Sequence, residues 1–230
     1  RIAREAFVWS RIQHRNLHPL LDYHSQPRPR FISPWCRHGN LMDYIRANPS
    51  LSRLDKLQLI YQAAYGLEHL HSRTPPICHA DIKPENVLVN DWREAALSDF
   101  GLSRVLHGLE IPSGFTTSGV AKGTLNYIAS ELWAEETPTC NSDVYAFGGL
   151  ILTVMSGKAP FCGLQDHIVV ARVVQGEPPR PEDHPDLPQS DPLWSLMRRC
   201  WDHCSTARPT MRKVLWEVRL QRSSVLDPPY

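Results

Sequence analysis

Between Asn141 and Gly157 the chain is apolar on nearly every side, leaving no face for water. A helix of that kind is stable only where other elements wrap it, so the chain must build a multi-element domain around it. A bilayer is the other possible surrounding, and the length argues against it. The run Val144 to Met155 is broken by glycines and falls short of the ~20 residues a membrane span needs. Gly157 and Pro160 supply the stop. At 230 residues, ~70% of the unfolded surface can be buried, enough to enclose such a helix.

Other elements follow from periodicity. Leu54, Leu57, Ile60, Ala64, Leu67 and Leu70 form one helical stripe, which Ser52 and Asp55 open as a capping box. Met211, Val214, Leu215 and Val218 form another, with Pro209 expected near the first helical position. Arg1 to Ile12 is expected to be helical, with Ile2, Ala6 and Trp9 on one face. Strand signals are short: Leu17 to Tyr23, Arg30 to Ser33, Val87 to Asn90 and Ala95 to Ser98. Six prolines between Gly176 and Pro192 predict an extended surface connector, and Asp227 to Tyr230 a frayed tail.

Charge and cysteine usage narrow the function. Lys plus Arg number 25 against 24 for Asp plus Glu, a net charge of +1. That gives no basic excess for nucleic acid or a membrane surface, so neither is expected as a partner. The six cysteines are too few and scattered for a disulfide scaffold and read as reduced, in a cytoplasmic protein. Cys200, His203 and Cys204 lack a second ligand pair at zinc-like spacing; the expectation is a packed Cys200 and a surface Cys204. The N-terminal RIAREAFVW has no signal-peptide pattern.

Two polar clusters carry the chemistry. His79-Ala80-Asp81-Ile82-Lys83-Pro84-Glu85-Asn86 runs into apolar Val87-Leu88-Val89, and Asp99-Phe100-Gly101 follows Ala96-Leu97-Ser98. The pattern predicts two loops flanking a small hairpin and sharing one cleft. Asp81 can accept a proton or orient a hydroxyl. Asn86 and Asp99 supply hard oxygens suited to Mg²⁺, and Lys83 reaches a phosphate from the same loop.

H-x-D-x-x-x-x-N followed by D-F-G resembles the catalytic and metal-binding loops of protein kinases. Further matches extend the resemblance across nearly the whole chain. Ala129-Ser130-Glu131 stands where the family has A-P-E, preceded by Gly123-Thr124, and Trp194 to Trp201 with Arg208-Pro209 resembles the tyrosine-kinase-like group. The resemblance implies a mainly helical α+β fold with a complete helical C-lobe and a partial N-lobe of helix C and two strands. Its divisions are a residual N-lobe over 1–33, a hinge over 34–40, the C-lobe over 41–224 and a tail over 225–230. It also implies ATP and Mg²⁺ as cofactors and a protein as substrate. By resemblance, Asp81 is catalytic, Lys83 meets the transferring phosphate as in Ser/Thr kinases, and Thr124 bridges the two. Asn86 and Asp99 hold the metal. Ser33 is the gatekeeper, the Pro34 carbonyl and Cys36 N–H meet the adenine edge, Leu88 floors its pocket, and Glu5 is the helix-C glutamate. Asp143 is implied to bind the catalytic-loop backbone and Arg208 to pair with Glu131.

Three departures stand out. Ala80 replaces the arginine of H-R-D, and Ser130 the proline of A-P-E. The sequence has no G-x-G-x-x-G ahead of helix C, and none of its five lysines precedes Glu5, so the chain is expected to be an N-terminally truncated kinase of negligible activity by itself. The competing reading is a non-catalytic kinase-fold scaffold. Such a scaffold has no use for Asp81, Lys83, Asn86 and Asp99 together, and charges placed in a cleft are costly. A two-metal phosphatase or nuclease would need more carboxylates.

Overall fold

Thr139 and Ser142 exchange side-chain and backbone hydrogen bonds in a capping box that starts the central helix, α4 (Cys140–Ser156). Every residue from Ser142 to Ser156 is buried, and Gly157 ends the helix at φ 73°, a left-handed turn that glycine adopts without strain. The computed structural model describes residues 9–24, 26, 30–100, 104–105, 124–134 and 136–226. Within these, α1 (Leu41–Ala47), α2 (Arg53–His71), α3 (Ser130–Trp133), α5 (Asp166–Val174), α6 (Leu193–Cys200) and α7 (Met211–Leu226) complete the helices. No helix among the described residues is long and apolar enough to cross a membrane.

The stripe on α2 is real. Leu57, Ile60, Ala64, Leu67 and Leu70 are wholly buried, and Ser52 and Asp55 form both halves of their capping box. That face packs on α7, whose Met211, Val214 and Val218 are buried, and on α4. Pro209 lies two residues ahead of α7 rather than in its first turn. The periodicity gave no notice of α1, α5 and α6, which are nine residues or fewer.

Among the described residues, six short strands form three antiparallel pairs: β1 (Asp22–His24) with β2 (Arg30–Ile32), β3 (Ile77–Cys78) with β6 (Arg104–Val105), and β4 (Val87–Val89) with β5 (Ala95–Leu97). The expected strand from Leu17 shrinks to β1. Leu17 spends its pairing on a single parallel bridge to Leu97, and His18 N–H donates to the Leu97 carbonyl, so the chain crosses the β4–β5 hairpin before meeting β2. Of the stretch expected to be helical, Arg1 to Ile12, Trp9 is helical and Ser10 and Arg11 form a turn; residues 1–8, and with them Ile2, Glu5 and Ala6, lie outside the described residues, as does the tail from 227.

The proline-rich connector departs from expectation. His184 is wholly buried and Leu187 nearly so, with His184 Nδ1 2.9 Å from Ser156 Oγ at the end of α4. Prolines bring no backbone N–H, so this segment can lie against the core with few donors to satisfy. Cys200 is buried and Cys204 exposed, and no group of three metal-ligating side chains occurs among the described residues.

Candidate active site

Strand β3 delivers the chain to His79, which is wholly buried. Its Nε2 is 3.0 Å from the Ser98 carbonyl, and its Nδ1 accepts the Asp81 N–H at 3.4 Å. One ring nitrogen donates and the other accepts, which is the neutral imidazole, and burial lowers its pKa accordingly. Ala80 takes φ 67°, a left-handed conformation that costs a β-carbon ~1–2 kcal/mol. Asp143, in the first turn of α4, holds it there: its carboxylate accepts from His79 N–H at 2.7 Å and from Ala80 N–H at 2.8 Å.

A third group completes this clamp. His71, the last residue of α2, places Nε2 2.9 Å from the same carboxylate. Burial works against a charged imidazole, but the hydrogen bonds and negative potential of Asp143 and Cys140 outweigh it and carry His71 up to about 9. Asp143 is likewise opposed by burial yet held below the usual carboxylate range by His71 and the loop. Sequence reasoning missed His71. Its spacing on α2 marks it only as a helix end, and nothing local couples it to Asp143, 72 positions on.

The clamp presents Asp81. Lys83 Nζ donates to Asp81 Oδ2 at 2.8 Å, and Asn86 Nδ2 donates to the same oxygen at 2.7 Å and to the Asp81 carbonyl at 2.8 Å. The Asp81 and Lys83 side chains are only 11% and 15% exposed, so this charged pair is shielded yet reachable. Pro84 opens a 3₁₀ turn, Pro84–Asn86, which delivers Asn86 to β4. The Asn86 carbonyl then accepts from both Ser98 N–H and Ser98 Oγ. These two hydrogen bonds join the two polar loops side by side.

Beyond Ser98, Asp99 is exposed at φ 59°, and Phe100 turns inward. The Phe100 ring sits 5.3 Å from His79 and 5.8 Å from Trp9. Asn86 gives its N–H groups to Asp81, which leaves the amide oxygen as its ligand atom. With the Asp99 carboxylate this makes two hard oxygen donors on neighbouring loops, a set that fits Mg²⁺.

The proposed adenine-side residues lie along one stretch. Ser33 is half-buried, Pro34 exposed and Cys36 buried. Gly39, at φ 67°, donates to the Cys36 carbonyl, and its own carbonyl accepts from Val89 N–H. An Asn40–Leu88 bridge fastens the stretch to β4, where Leu88 is half-buried. Thr124 begins the 3₁₀ turn Thr124–Tyr127, anchored by Asn126 to the Pro160 carbonyl and by Tyr127 to Thr153. Gly101, Gly123, Glu5 and the Thr124 side chain lie outside the described residues. Glu131 and Arg208 form a two-pronged pair at 2.6 and 2.8 Å, with Arg208 also donating to the Asp202 and Asn141 carbonyls.

A family profile described as protein tyrosine and serine/threonine kinase matches residues 1–218. The chain belongs to the protein kinase family. This kinase domain is 38% identical, over 68% of the chain and 17% of the relative, to an Arabidopsis thaliana protein named as a probable LRR receptor-like serine/threonine-protein kinase. It is 32% identical to the Mus musculus ankyrin repeat and protein kinase domain-containing protein 1, over 75% of the chain and 24% of the relative. The kinase domain thus spans a quarter or less of the length of these relatives. Its few short strands and dominant helices are the mainly helical α+β fold of the family, with a partial N-lobe.

Proposed function

We propose that this kinase domain transfers the γ-phosphate of ATP to serine and threonine hydroxyls of protein substrates in the cytoplasm. The observation that carries the reading is the Asp81 carboxylate, gripped by Lys83 and Asn86 in a loop that Asp143 pins from below. In this reading Asp81 orients the substrate hydroxyl and takes its proton, while Lys83 meets the transferring phosphate and offsets its charge. Thr124 bridges the two. Asn86 and Asp99 hold Mg²⁺, whose charge offsets that of the triphosphate.

Residues 34–40 form the hinge between the N-lobe over 1–33 and the C-lobe over 41–224, with 225–230 as a tail. The Pro34 carbonyl and Cys36 N–H meet the adenine edge above Leu88, with Ser33 as gatekeeper and Glu5 as the helix-C glutamate. Serine and threonine are favoured as acceptors because Lys83 stands two residues after Asp81, and the Arabidopsis relative is named as a serine/threonine-protein kinase. The near balance of charge supports a protein rather than a nucleic acid as partner, and six free cysteines agree with a reducing compartment. A non-catalytic scaffold would gain nothing from a shielded Asp81–Lys83 pair beside two metal-type oxygens.

In a version of the chain that carries a complete N-lobe, Asp81→Asn is expected to lower phosphate transfer roughly 10³-fold. Asp99→Asn is expected to abolish it. ATP binding, measured by calorimetry, should survive better in Asp81→Asn than in Asp99→Asn. Undiminished transfer in either variant overturns the assignment.

A further inference from the structure

Beneath the Asp81 loop, two thiols border the His71–Asp143 pair. Cys78, the last residue of β3, is wholly buried, and its Sγ donates to the Thr139 carbonyl at 3.2 Å. Thr139 caps α4, and Cys140, half-buried, is the first residue of that helix. The two segments are 61 positions apart along the chain and meet here. The Cys78 thiol also lies within electrostatic reach of the Asp143 carboxylate, and the Cys140 thiol within reach of the His71 imidazole. Both sulfurs therefore lie on the same small polar cluster, one reachable from solvent and one not. Neither is used by the phosphate-transfer reading, and neither forms a disulfide in this structure.

We propose that Cys78 and Cys140 form an intramolecular disulfide when the protein meets hydrogen peroxide, a covalent clamp between β3 and the start of α4. Exposure sets the order of events. Peroxide reaches Cys140 first, and its sulfur attacks one peroxide oxygen; the O–O bond breaks, water leaves and a sulfenic acid remains. The Cys78 sulfur then attacks the Cys140 sulfur. The S–S bond forms, the S–O bond breaks, and hydroxide departs with the Cys78 proton as a second water. Two thiols lose two electrons and two hydrogens, and one peroxide becomes two waters. The cationic His71 beside Cys140 stabilises negative charge building on sulfur during the first step. Because Cys78 already touches the residue next to Cys140, closure needs side-chain rotation rather than backbone travel. The bond closes a loop of about 60 residues, and cross-links of that span stabilise chiefly by restricting the unfolded chain.

The test reads chemistry and stability, so it is independent of phosphate transfer. The protein is treated with peroxide when dilute, remaining thiols are alkylated, and peptides are mapped by mass spectrometry without reduction. A peptide joining Cys78 to Cys140, two hydrogens lighter than its parts and released by dithiothreitol, is expected. The melting temperature should rise about 5 °C or more on oxidation. Cys140→Ser should lose both the link and the rise while melting near wild type when reduced; this variant decides the matter even if Cys78→Ser fails to fold. Recovery of Cys140 as a sulfinic or sulfonic acid with Cys78 still a thiol overturns the proposal. So does a link through Cys162 or Cys204 instead, or a rise that persists in Cys140→Ser.

Discussion

At the scale of single residues, the catalytic loop depends on one carboxylate that never faces the cleft. Asp143 is 1% exposed and accepts from His79 N–H, Ala80 N–H and His71 at once. Asp143→Ala leaves two buried amides without acceptors and the His71 charge without a partner. Removing one member of a buried ion pair costs about 3–5 kcal/mol, most of it the penalty on the group left behind. The expected outcome is a loss of that size in denaturant unfolding, with amide exchange accelerated first at His79 and Ala80. Unchanged exchange at those two amides would show that the loop holds its own shape. The side chains of Asp81, Lys83, Asn86 and Asp99 were legible in sequence because their chemistry is local and their spacing fixed. The left-handed backbones of Ala80 and Asp99 were not. Neither residue advertises positive φ as glycine does, and at Ala80 the conformation is imposed by a carboxylate 63 positions away.

Elements show the same division between local and distant causes. The α2 and α4 helices were readable from stripe and stop signals, and the Ser52 cap from two letters three apart. Ser52→Ala should cost about 1 kcal/mol, the usual worth of an N-cap. By contrast, the burial of His184 and Leu187 and the shortening of β1 depend on partners far along the chain. Gly66 shows how such a partner reverses a local rule. Inside a helix, alanine is favoured over glycine by about 1 kcal/mol. Here a β-carbon would stand 2.4 Å from the Asn16 carbonyl oxygen, on backbone that cannot swing aside. That carbonyl accepts from Leu97 N–H, and Asn16 Nδ2 donates to the Ala95 carbonyl, so displacing residue 16 also loosens β5. Overpacking of this kind outweighs the propensity gain, and Gly66→Ala should be destabilised by about 1–3 kcal/mol net. A urea midpoint equal to or above wild type would refute the close contact.

Over the whole molecule, histidine protonation sets a window of stability that the near-zero net charge does not reveal. His14 is pushed down to about 4, chiefly by burial and then by His69, stacked 4.8 Å away, and Arg15. His18, His69, His79 and His184 are also lowered, burial being the main cause in each. For all five, the unfolded chain takes up a proton near pH 6.5 while the folded chain resists it. Acid therefore favours unfolding: the stability they contribute is present above pH 6.5 and is lost as pH falls, for His14 down to about 4. His71 has the opposite sign. Its pKa is raised to about 9, so its contribution is complete below 6.5 and disappears as pH rises through 9. Stability should accordingly be greatest near neutral pH, dropping steeply by pH 5 and again by pH 9.5. Urea midpoints at pH 5, 7.5 and 9.5 test both limbs, and two variants separate them. His14→Asn, which keeps an acceptor for the Asn16 N–H that His14 Nδ1 now accepts, should flatten part of the acid limb and leave the alkaline one. His71→Gln should erase the alkaline limb and leave the acid one. A wild-type midpoint that is level from pH 5 to 7.5 would mean that the buried imidazoles accept protons as readily folded as unfolded, and that burial does not hold them neutral.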